Sequence, residues 1–200
     1  MIFRLILGAV LSYLLGSLNF GIILSRKFQK EDVRTHGSGN AGSTNMLRNY
    51  GKLPAVATIL GDMAKVAVAI LLVRLLVGND LYAQQPIFIK SFAGLFCVLG
   101  HIFPCFFRFK GGKGVATCGG MVFMIDWRIA LILLAGFFVG SILMAILYPV
   151  LMGLFYKSVP ITLISVVFAA IVLVAHRENI KRILNGTESK IAVGGKNKKE

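Results

Sequence analysis

Long apolar runs are the feature that most restricts how this chain can fold. A helix that crosses a bilayer needs about 20 mainly apolar residues, and five runs in the sequence approach or exceed that length: residues 2–24, 53–77, 86–107, 129–152 and 159–175. A sixth run, residues 115–125, is too short to cross as an ordinary helix. Only 15% of the residues are charged and the mean hydropathy is +0.79, whereas soluble domains carry about 25% charged residues. The sequence therefore predicts an all-α, polytopic membrane helix bundle.

The positive charge is concentrated between the apolar runs and at the end of the chain. The sequence has 22 Lys and Arg residues and eight Asp and Glu residues, for a net charge of +14. Cations in short loops orient a membrane protein and attract anionic membrane lipid, so no nucleic-acid partner is needed to explain them. An odd number of crossings predicts the N-terminus outside and the C-terminus in the cytoplasm. It also brings three polar segments to one face: residues 34–48, 100–114 and 175–188, called here the first, second and third polar segments.

The first polar segment alternates glycines with small hydrogen-bonding residues and ends in a cation, in the run GSGNAGSTNMLR. Gly37, Gly39 and Gly42 spell GxGxxG, the pattern of a dinucleotide-binding loop. That interpretation fails on context, since the pattern follows a membrane span and no βαβ unit surrounds it. A phosphate-binding loop ending at Arg48 and a flexible polar linker are the interpretations that remain.

The second polar segment, continued to Thr117, reads GHIFPCFFRFKGGKGVAT and contains no acidic residue. Glycines allow crowded backbone conformations in which successive N–H groups point at one anion, and Lys110 and Lys113 add charge. The segment predicts a phosphate site at the membrane surface. A Walker-type nucleotide loop is excluded, because Gly114 stands where Ser or Thr is required after Lys113.

The third polar segment, AHRENIKRILNGTE, places His176, Glu178 and Asn179 among basic residues. Deeper in the membrane, Asp62 and Lys65 lie three apart on one helical face. Ionisable groups at that depth face protein or water, so this pair is a structural ion pair or a wall of an active site.

A transporter for a small organophosphate is the alternative function, but it predicts polar residues through the full depth of the bundle. A structural membrane scaffold without phosphate chemistry is a third possible function.

Together the three polar segments resemble the three cytoplasmic motifs of the bacterial acyl-phosphate:glycerol-3-phosphate acyltransferases, in the same order and spacing, over residues 37–188. The resemblance implies an inner-membrane, multi-pass enzyme with seven transmembrane helices, the N-terminus outside and the active site on the cytoplasmic side. Residues 1–188 would form one domain and residues 189–200 a basic tail. The implied reaction transfers a fatty acyl group from acyl phosphate to the 1-hydroxyl of sn-glycerol 3-phosphate, giving lysophosphatidic acid and phosphate. No cofactor, metal or obligate protein partner is implied.

The resemblance also implies roles for individual residues. Those expected to bind the substrates are Ser38, Gly39, Asn40, Gly42, Ser43, Thr44, Asn45, Arg48, Lys110, Gly111, Gly112, Lys113 and Gly114. Those expected to orient or deprotonate the attacking hydroxyl are His101, His176, Glu178 and Asn179. A histidine or a phosphate oxygen of the acyl donor takes the proton, and the sequence leaves both open. The HxxxxD dyad of thioester-using glycerolipid acyltransferases is missing from the sequence.

Overall fold

The structure, a computed structural model, describes residues 1–135 and 141–187. All regular elements within those residues are helical, which confirms the predicted all-α class. The α-helices are α1 (Ile2–Ser17), α2 (Phe20–Leu24), α3 (Ser43–Tyr50), α4 (Lys52–Val77), α5 (Asn79–Gln84), α6 (Pro86–Ile102), α7 (Val115–Ile125), α8 (Trp127–Ala135), α9 (Ser141–Tyr156), α10 (Val159–Ala175) and α11 (Arg177–Leu184). Position 188, the predicted end of the domain, and the predicted tail over 189–200 lie outside the described residues.

The longest helix, α4, begins and ends at glycines. Gly51 and Gly78 both have φ of 88°, a backbone conformation that glycine adopts without steric cost. The 26 residues of α4 rise ~39 Å at 1.5 Å per residue, more than the ~30 Å of a bilayer core. Leu71 and Leu75 are 52% and 70% exposed on its surface. Such apolar exposure is suited to lipid.

The first apolar run is interrupted about three quarters of the way along. Residues 2–24 were expected to form one helix, but α1 ends at Ser17 and α2 begins at Phe20. The side-chain oxygen of Asn19 accepts a hydrogen bond of 3.3 Å from the amide of Ile22. This bond caps the N-terminus of α2 and so stabilises a break that apolar periodicity does not reveal.

Glycines bring α1 and α6 into close contact. A Cβ atom at Gly16 would lie 2.0 Å from the carbonyl oxygen of Cys97, and one at Gly100 would lie 2.1 Å from that of Tyr13. Only glycine fits at such distances. The Tyr13 hydroxyl donates a hydrogen bond of 2.6 Å to the carbonyl of Phe103, so α1 also holds the chain that leaves α6.

Contacts along α1 and α4 fix their relative direction. Gly8, early in α1, lies against Val73, late in α4. Gly16, at the end of α1, accepts a hydrogen bond from Lys65, which lies nearer the start of α4. The two helices are therefore antiparallel, and the end of α1 lies at the same end of the bundle as the first polar segment.

Three helical stretches are each long and apolar enough to cross a membrane: Ile2–Gln29, Lys52–Val77 and Pro86–Phe107. A fourth candidate is the pair α10 and α11, which is bent by 61°. Among the described residues, three or four of the five spans expected from hydropathy are found, and the predicted run over residues 129–152 contains α8 and most of α9. Residues 136–140, between these two helices, lie outside the described part of the chain.

Candidate active site

Hydrogen bonds join the three polar segments at one end of the bundle. Arg34, in the first, donates through one guanidinium nitrogen to the carbonyls of Phe107 and Lys110, at 3.1 and 2.6 Å. Lys113, in the second, donates from its ammonium group to the side-chain oxygen of Asn179 in the third. Residues more than 140 positions apart along the chain therefore contribute to one surface, as the odd number of membrane crossings predicted.

An ion pair fixes Arg34 for this contact. The carboxylate of Asp32 accepts hydrogen bonds from Nε and a terminal nitrogen of Arg34, at 2.9 and 2.7 Å. Arg26 contacts the same carboxylate at 2.8 Å. The Arg34 guanidinium holds the pKa of Asp32 well below its usual range, so Asp32 is ionised at neutral pH and keeps the forked geometry.

One buried side chain holds the first polar segment in shape. The amide nitrogen of Asn45 lies 2.9 to 3.0 Å from three backbone carbonyls, those of Val33, His36 and Asn40. Its oxygen accepts a hydrogen bond of 3.0 Å from the amide of Ser38. Asn45 is only 1% exposed. Its polar atoms bond within the loop, and the expectation that Asn45 binds substrate stays a prediction.

The other predicted residues of this segment surround Asn45 and keep more access to solvent. Exposed positions are Ser38, Gly39, Thr44 and Arg48, and partly buried positions are Asn40, Gly42 and Ser43. Gly39 has φ of 70°, a left-handed conformation that turns the chain back toward α3. The fold therefore presents hydroxyl and guanidinium groups together at the surface of this loop.

Two glycines of the second polar segment bond to the end of α6 through their backbone amides. The amide of Gly111 donates to the carbonyl of Ile102 at 3.1 Å, and that of Gly112 donates to the carbonyl of His101 at 3.2 Å. The expectation that the backbone of these two glycines holds a phosphate stays a prediction. They close a turn on the end of α6, and the positive charge of the segment comes from its lysines.

His101 belongs to a buried cluster below these glycines. It is 3% exposed, and its Nδ1 lies 2.9 Å from the ammonium nitrogen of Lys65. Lys65 in turn contacts Oδ1 of Asp62 at 2.8 Å. The His101 ring faces protein groups on both sides, and the expectation that His101 orients or deprotonates the attacking hydroxyl stays a prediction.

The third polar segment supplies one buried histidine and one exposed acid. His176 is 4% exposed and its Nδ1 lies 2.8 Å from the carbonyl of Val172. A carbonyl only accepts, so Nδ1 carries the proton and Nε2 keeps its lone pair. Burial lowers the pKa of His176, and the Lys113 charge lowers it further. His176 is therefore neutral at pH 7, as a general base must be.

Glu178 lies on the exposed surface of α11. Its side chain is 58% exposed and pairs at 3.6 Å with Lys181, one helical turn further along α11. An exposed pair of this kind contributes little. The expectation that Glu178 orients or deprotonates the attacking hydroxyl stays a prediction.

Arg34, Asp62 and Lys65 were not among the predicted site residues. The spacing of Asp62 and Lys65 within an apolar run was a usable signal, since buried charges in a span mark function or a buried pair. Arg34 carried no comparable signal, because nothing in the sequence distinguishes it from the other cations of its loop.

A cavity of about 410 Å³ lies at the opposite end of α6 and α10 from the three polar segments. Its lining includes Gln85, Phe88, Ser158 and Ile161, and the described residues that line it are uncharged. An uncharged cavity remote from the lysines does not suit a phosphorylated ligand.

Comparison with known proteins is consistent with this arrangement. The family model described as "Glycerol-3-phosphate acyltransferase" matches residues 6–186. A glycerol-3-phosphate acyltransferase of Francisella tularensis subsp. holarctica is 38% identical and aligns over 96% of this chain and 95% of its own. One of Pseudomonas putida is 40% identical over 90% of this chain and 96% of its own.

Solved structures agree in fold as well. PlsY, an integral membrane glycerol 3-phosphate acyltransferase, in its glycerol 3-phosphate form superposes with a TM-score of 0.81 at 33% identity, covering 93% of this chain and 94% of that one. Its lysophosphatidic acid form gives 0.79 at 32% identity, with the same coverage. The chain therefore belongs to the glycerol-3-phosphate acyltransferase family and is a membrane-integral acyltransferase.

Proposed function

We propose that the protein transfers a fatty acyl group from acyl phosphate to the 1-hydroxyl of sn-glycerol 3-phosphate, giving lysophosphatidic acid and phosphate. The observation that carries the proposal is the joining of three polar segments by Arg34 and by the contact of Lys113 with Asn179. Two phosphorylated substrates need such a concentration of cations. The glycerol 3-phosphate and lysophosphatidic acid forms of the related PlsY support the acceptor and the product.

Acyl phosphate suits this site because the chemistry requires no covalent enzyme intermediate. The donor is a mixed anhydride with a good leaving group. The acceptor hydroxyl oxygen forms a bond to the carbonyl carbon, and the carbon–oxygen bond to phosphate breaks, so phosphate leaves with the electron pair. Catalysis then depends on holding the two substrates together and stabilising the developing charge.

The hydroxyl proton has two routes in this scheme. In one, it passes to Nε2 of His176, whose Nδ1 is engaged by the Val172 carbonyl. In the other, an oxygen of the donor's phosphate accepts it and the protein supplies only orientation. The hydrogen bond at Nδ1 supports the first route, since it leaves Nε2 as an acceptor.

The cations divide between the two phosphates. Lys110 and Lys113 of the second polar segment hold one, and Arg48 with the hydroxyls of Ser38 and Thr44 holds the other. Asn179 supports Lys113 through its side-chain oxygen. The acyl chain lies along the exposed apolar faces of the spans, where leucine side chains such as Leu71 meet lipid.

The membrane arrangement proposed with this function has seven transmembrane helices in the inner membrane. The N-terminus lies outside, and the C-terminus and the active site lie on the cytoplasmic side. The meeting of the three polar segments at one end of the bundle supports a single catalytic face. The basic residues around that face agree with a cytoplasmic position.

The choice of donor is the most direct test. Purified full-length protein is incubated with glycerol 3-phosphate and, in parallel, with palmitoyl phosphate, palmitoyl-CoA or palmitoyl acyl carrier protein. We expect lysophosphatidic acid only with palmitoyl phosphate, and equal release of inorganic phosphate. Turnover with either thioester and none with the acyl phosphate would reject the proposed donor.

The same assay tests the role of the second polar segment. Lys113→Ala removes a cation from the centre of the site, and we expect kcat/KM to fall on the order of 100-fold. Lys27→Ala is the matched control, because Lys27 is an exposed lysine at the same end of the bundle. Equal kcat/KM values for the two variants would mean that only the overall surface charge matters.

A further inference from the structure

Three buried ionisable side chains lie under the second polar segment and have no role in the proposed acyl transfer. Asp62 and Lys65 of α4 and His101 at the end of α6 are 1%, 4% and 3% exposed. The Lys65 ammonium nitrogen lies 2.8 Å from the Asp62 carboxylate and 2.9 Å from Nδ1 of His101. Such groups are costly at this depth unless they are paired and serve the protein's function.

Lys65 connects this cluster to the break in the first span. Its ammonium group donates to the carbonyls of Gly16 and Leu18, at 3.0 and 3.1 Å. These carbonyls belong to the end of α1, where helical hydrogen bonds stop and acceptors need other partners. One side chain therefore holds α1, α4 and α6 in a fixed relation.

The contact with Lys65 also determines the tautomer of His101. An ammonium group has hydrogens to donate and no lone pair. At 2.9 Å, Nδ1 of His101 lies closer to this ammonium than to Oδ1 of Asp62, at 3.4 Å, which favours Nδ1 as the acceptor of a neutral ring that carries its proton on Nε2. In this form Nε2 has no lone pair to take a proton from a substrate.

The same ring supports the glycines of the second polar segment. A Cβ atom at Gly112 would lie 2.3 Å from Nε2 of His101, and one at Gly111 would lie 1.9 Å from the His101 carbonyl oxygen. Both glycines also donate their amides to the last carbonyls of α6. The next residue is Lys113, so the position of its backbone depends on where the ring lies.

We propose that Lys65 is a positioning residue for acyl transfer: it holds His101 as a neutral ring with its proton on Nε2 beneath Gly112, and thereby places Lys113. This inference rests on the proposed function, in which Lys113 binds a substrate phosphate. Asp62 balances the charge of Lys65 at 2.8 Å. The cluster itself does not touch substrate.

Lys65→Met tests this role in the purified full chain. Losing one charge-assisted hydrogen bond to His101 is expected to lower kcat/KM by about tenfold or more. Lys90→Met is the matched control, since Lys90 is a partly buried lysine at the other end of α6, and its effect should stay within about twofold. Asp62→Asn/Lys65→Met removes both charges and is used if the single variant does not fold. Equal kcat/KM for the Lys65 variant and the Lys90 control would overturn the proposal.

A double-mutant cycle asks whether Lys65 acts through His101. His101→Gln places an amide N–H near the position of Nε2 but offers no acceptor at Nδ1. Once Gln stands at position 101, Lys65→Met should change kcat/KM by no more than about twofold, since the route through the ring is gone. Independent, additive effects of the two substitutions would contradict positioning and indicate a general packing role.

The nitrogen spectrum of the histidines gives a readout that packing alone does not change. The chain has three histidines, and His101→Gln assigns the signal of His101 in ¹⁵N-histidine-labelled protein. We expect a protonated Nε2 and an unprotonated Nδ1 in the wild type, and loss of this single tautomer in Lys65→Met. A wild-type His101 with its proton on Nδ1 would overturn the proposal.

Failure of this inference differs from failure of the proposed function. If the wild type does not use acyl phosphate, the proposed function fails, and positioning is then judged from the spectrum and from calorimetric binding of glycerol 3-phosphate. If the wild type uses acyl phosphate and Lys65→Met matches its control, the proposed function stands and only the role of Lys65 fails.

Discussion

The first and second polar segments look alike in sequence but are built in opposite ways. In the first, one buried amide side chain, that of Asn45, holds the loop from inside and leaves hydroxyl groups at the surface. In the second, the backbone folds directly onto a buried ring, and Gly111 and Gly112 make that approach possible. Loops rich in glycine and small polar residues can therefore be supported in different ways, by a buried side chain or by backbone packing.

This difference shows what a glycine-rich motif can and cannot indicate. A motif gives residue types, but the same type either shapes the loop or meets the ligand, and burial separates these roles. Asn45 is 1% exposed and shapes its loop, whereas Ser38, seven residues earlier, is exposed. The contrast between the two segments can be tested by removing each internal support in turn.

The largest effect is expected from Asn45→Ala. The substitution leaves the carbonyls of Val33, His36 and Asn40 and the amide of Ser38 without their partner. A buried group left unsatisfied costs about 1–3 kcal/mol. The Val33 contact is buried and the other three are part-buried, so we expect a total loss of about 3 kcal/mol in the free energy of unfolding and little remaining activity. Thermal unfolding in detergent and the acyl-transfer assay measure the two effects.

Asn49→Ala is the control for that experiment. Asn49 is exposed and donates its side-chain amide to the backbone and side-chain oxygens of Asn45, at 3.0 and 3.1 Å. It lies in the same helix but supports none of the loop carbonyls. If Asn49→Ala is as harmful as Asn45→Ala, the first polar segment is not held from inside by Asn45.

Much of the fold could be predicted because it depends on apolar length. The runs 53–77 and 159–175 correspond to helices at Lys52–Val77 and Val159–Ala175, within one residue. The break after Ser17 could not be predicted, since it depends on a hydrogen bond that the Asn19 side chain accepts from the Ile22 amide, which composition does not encode.

The meeting of the polar segments could be predicted from parity, but the roles of single residues could not. Lys65 and His101 are 36 positions apart, and only packing of α4 against α6 brings them together. Glu178 and His176 are two residues apart in one motif, yet the first is exposed and the second is buried. A sequence motif shows which residue types are present, whereas the burial and contacts of each residue depend on helices distant in sequence.

An intermediate effect is expected from Gly112→Ala. The new Cβ atom would lie 2.3 Å from Nε2 of His101, so the ring or the loop must move. Because Lys65 holds the ring, we expect the loop to shift and kcat/KM to fall by about tenfold, with a loss of about 1–2 kcal/mol in stability. Gly119→Ala, at an exposed helical position where a Cβ meets no atom within 4 Å, should change neither quantity measurably. Wild-type kcat/KM from Gly112→Ala would show that the second polar segment is not built on His101.

The smallest effect is expected where the two segments are joined, at Asp32. Its ion pair with Arg34 lowers the pKa of Asp32 in the folded protein. At pH values above about 3.9, the pKa of an unfolded Asp, the pair therefore stabilises the fold in full. This stabilisation is lost as the pH falls below that value toward the folded pKa. Asp32→Asn should therefore lower the melting temperature at pH 7 by a few degrees, on the order of 1 kcal/mol, and the difference from wild type should shrink below about pH 4. Asp80→Asn, an exposed acid in α5, should leave no such pH-dependent difference. If the difference in melting temperature between wild type and Asp32→Asn stays constant down to pH 3, the two segments are held together without this ion pair. Each segment would then depend only on its own internal support.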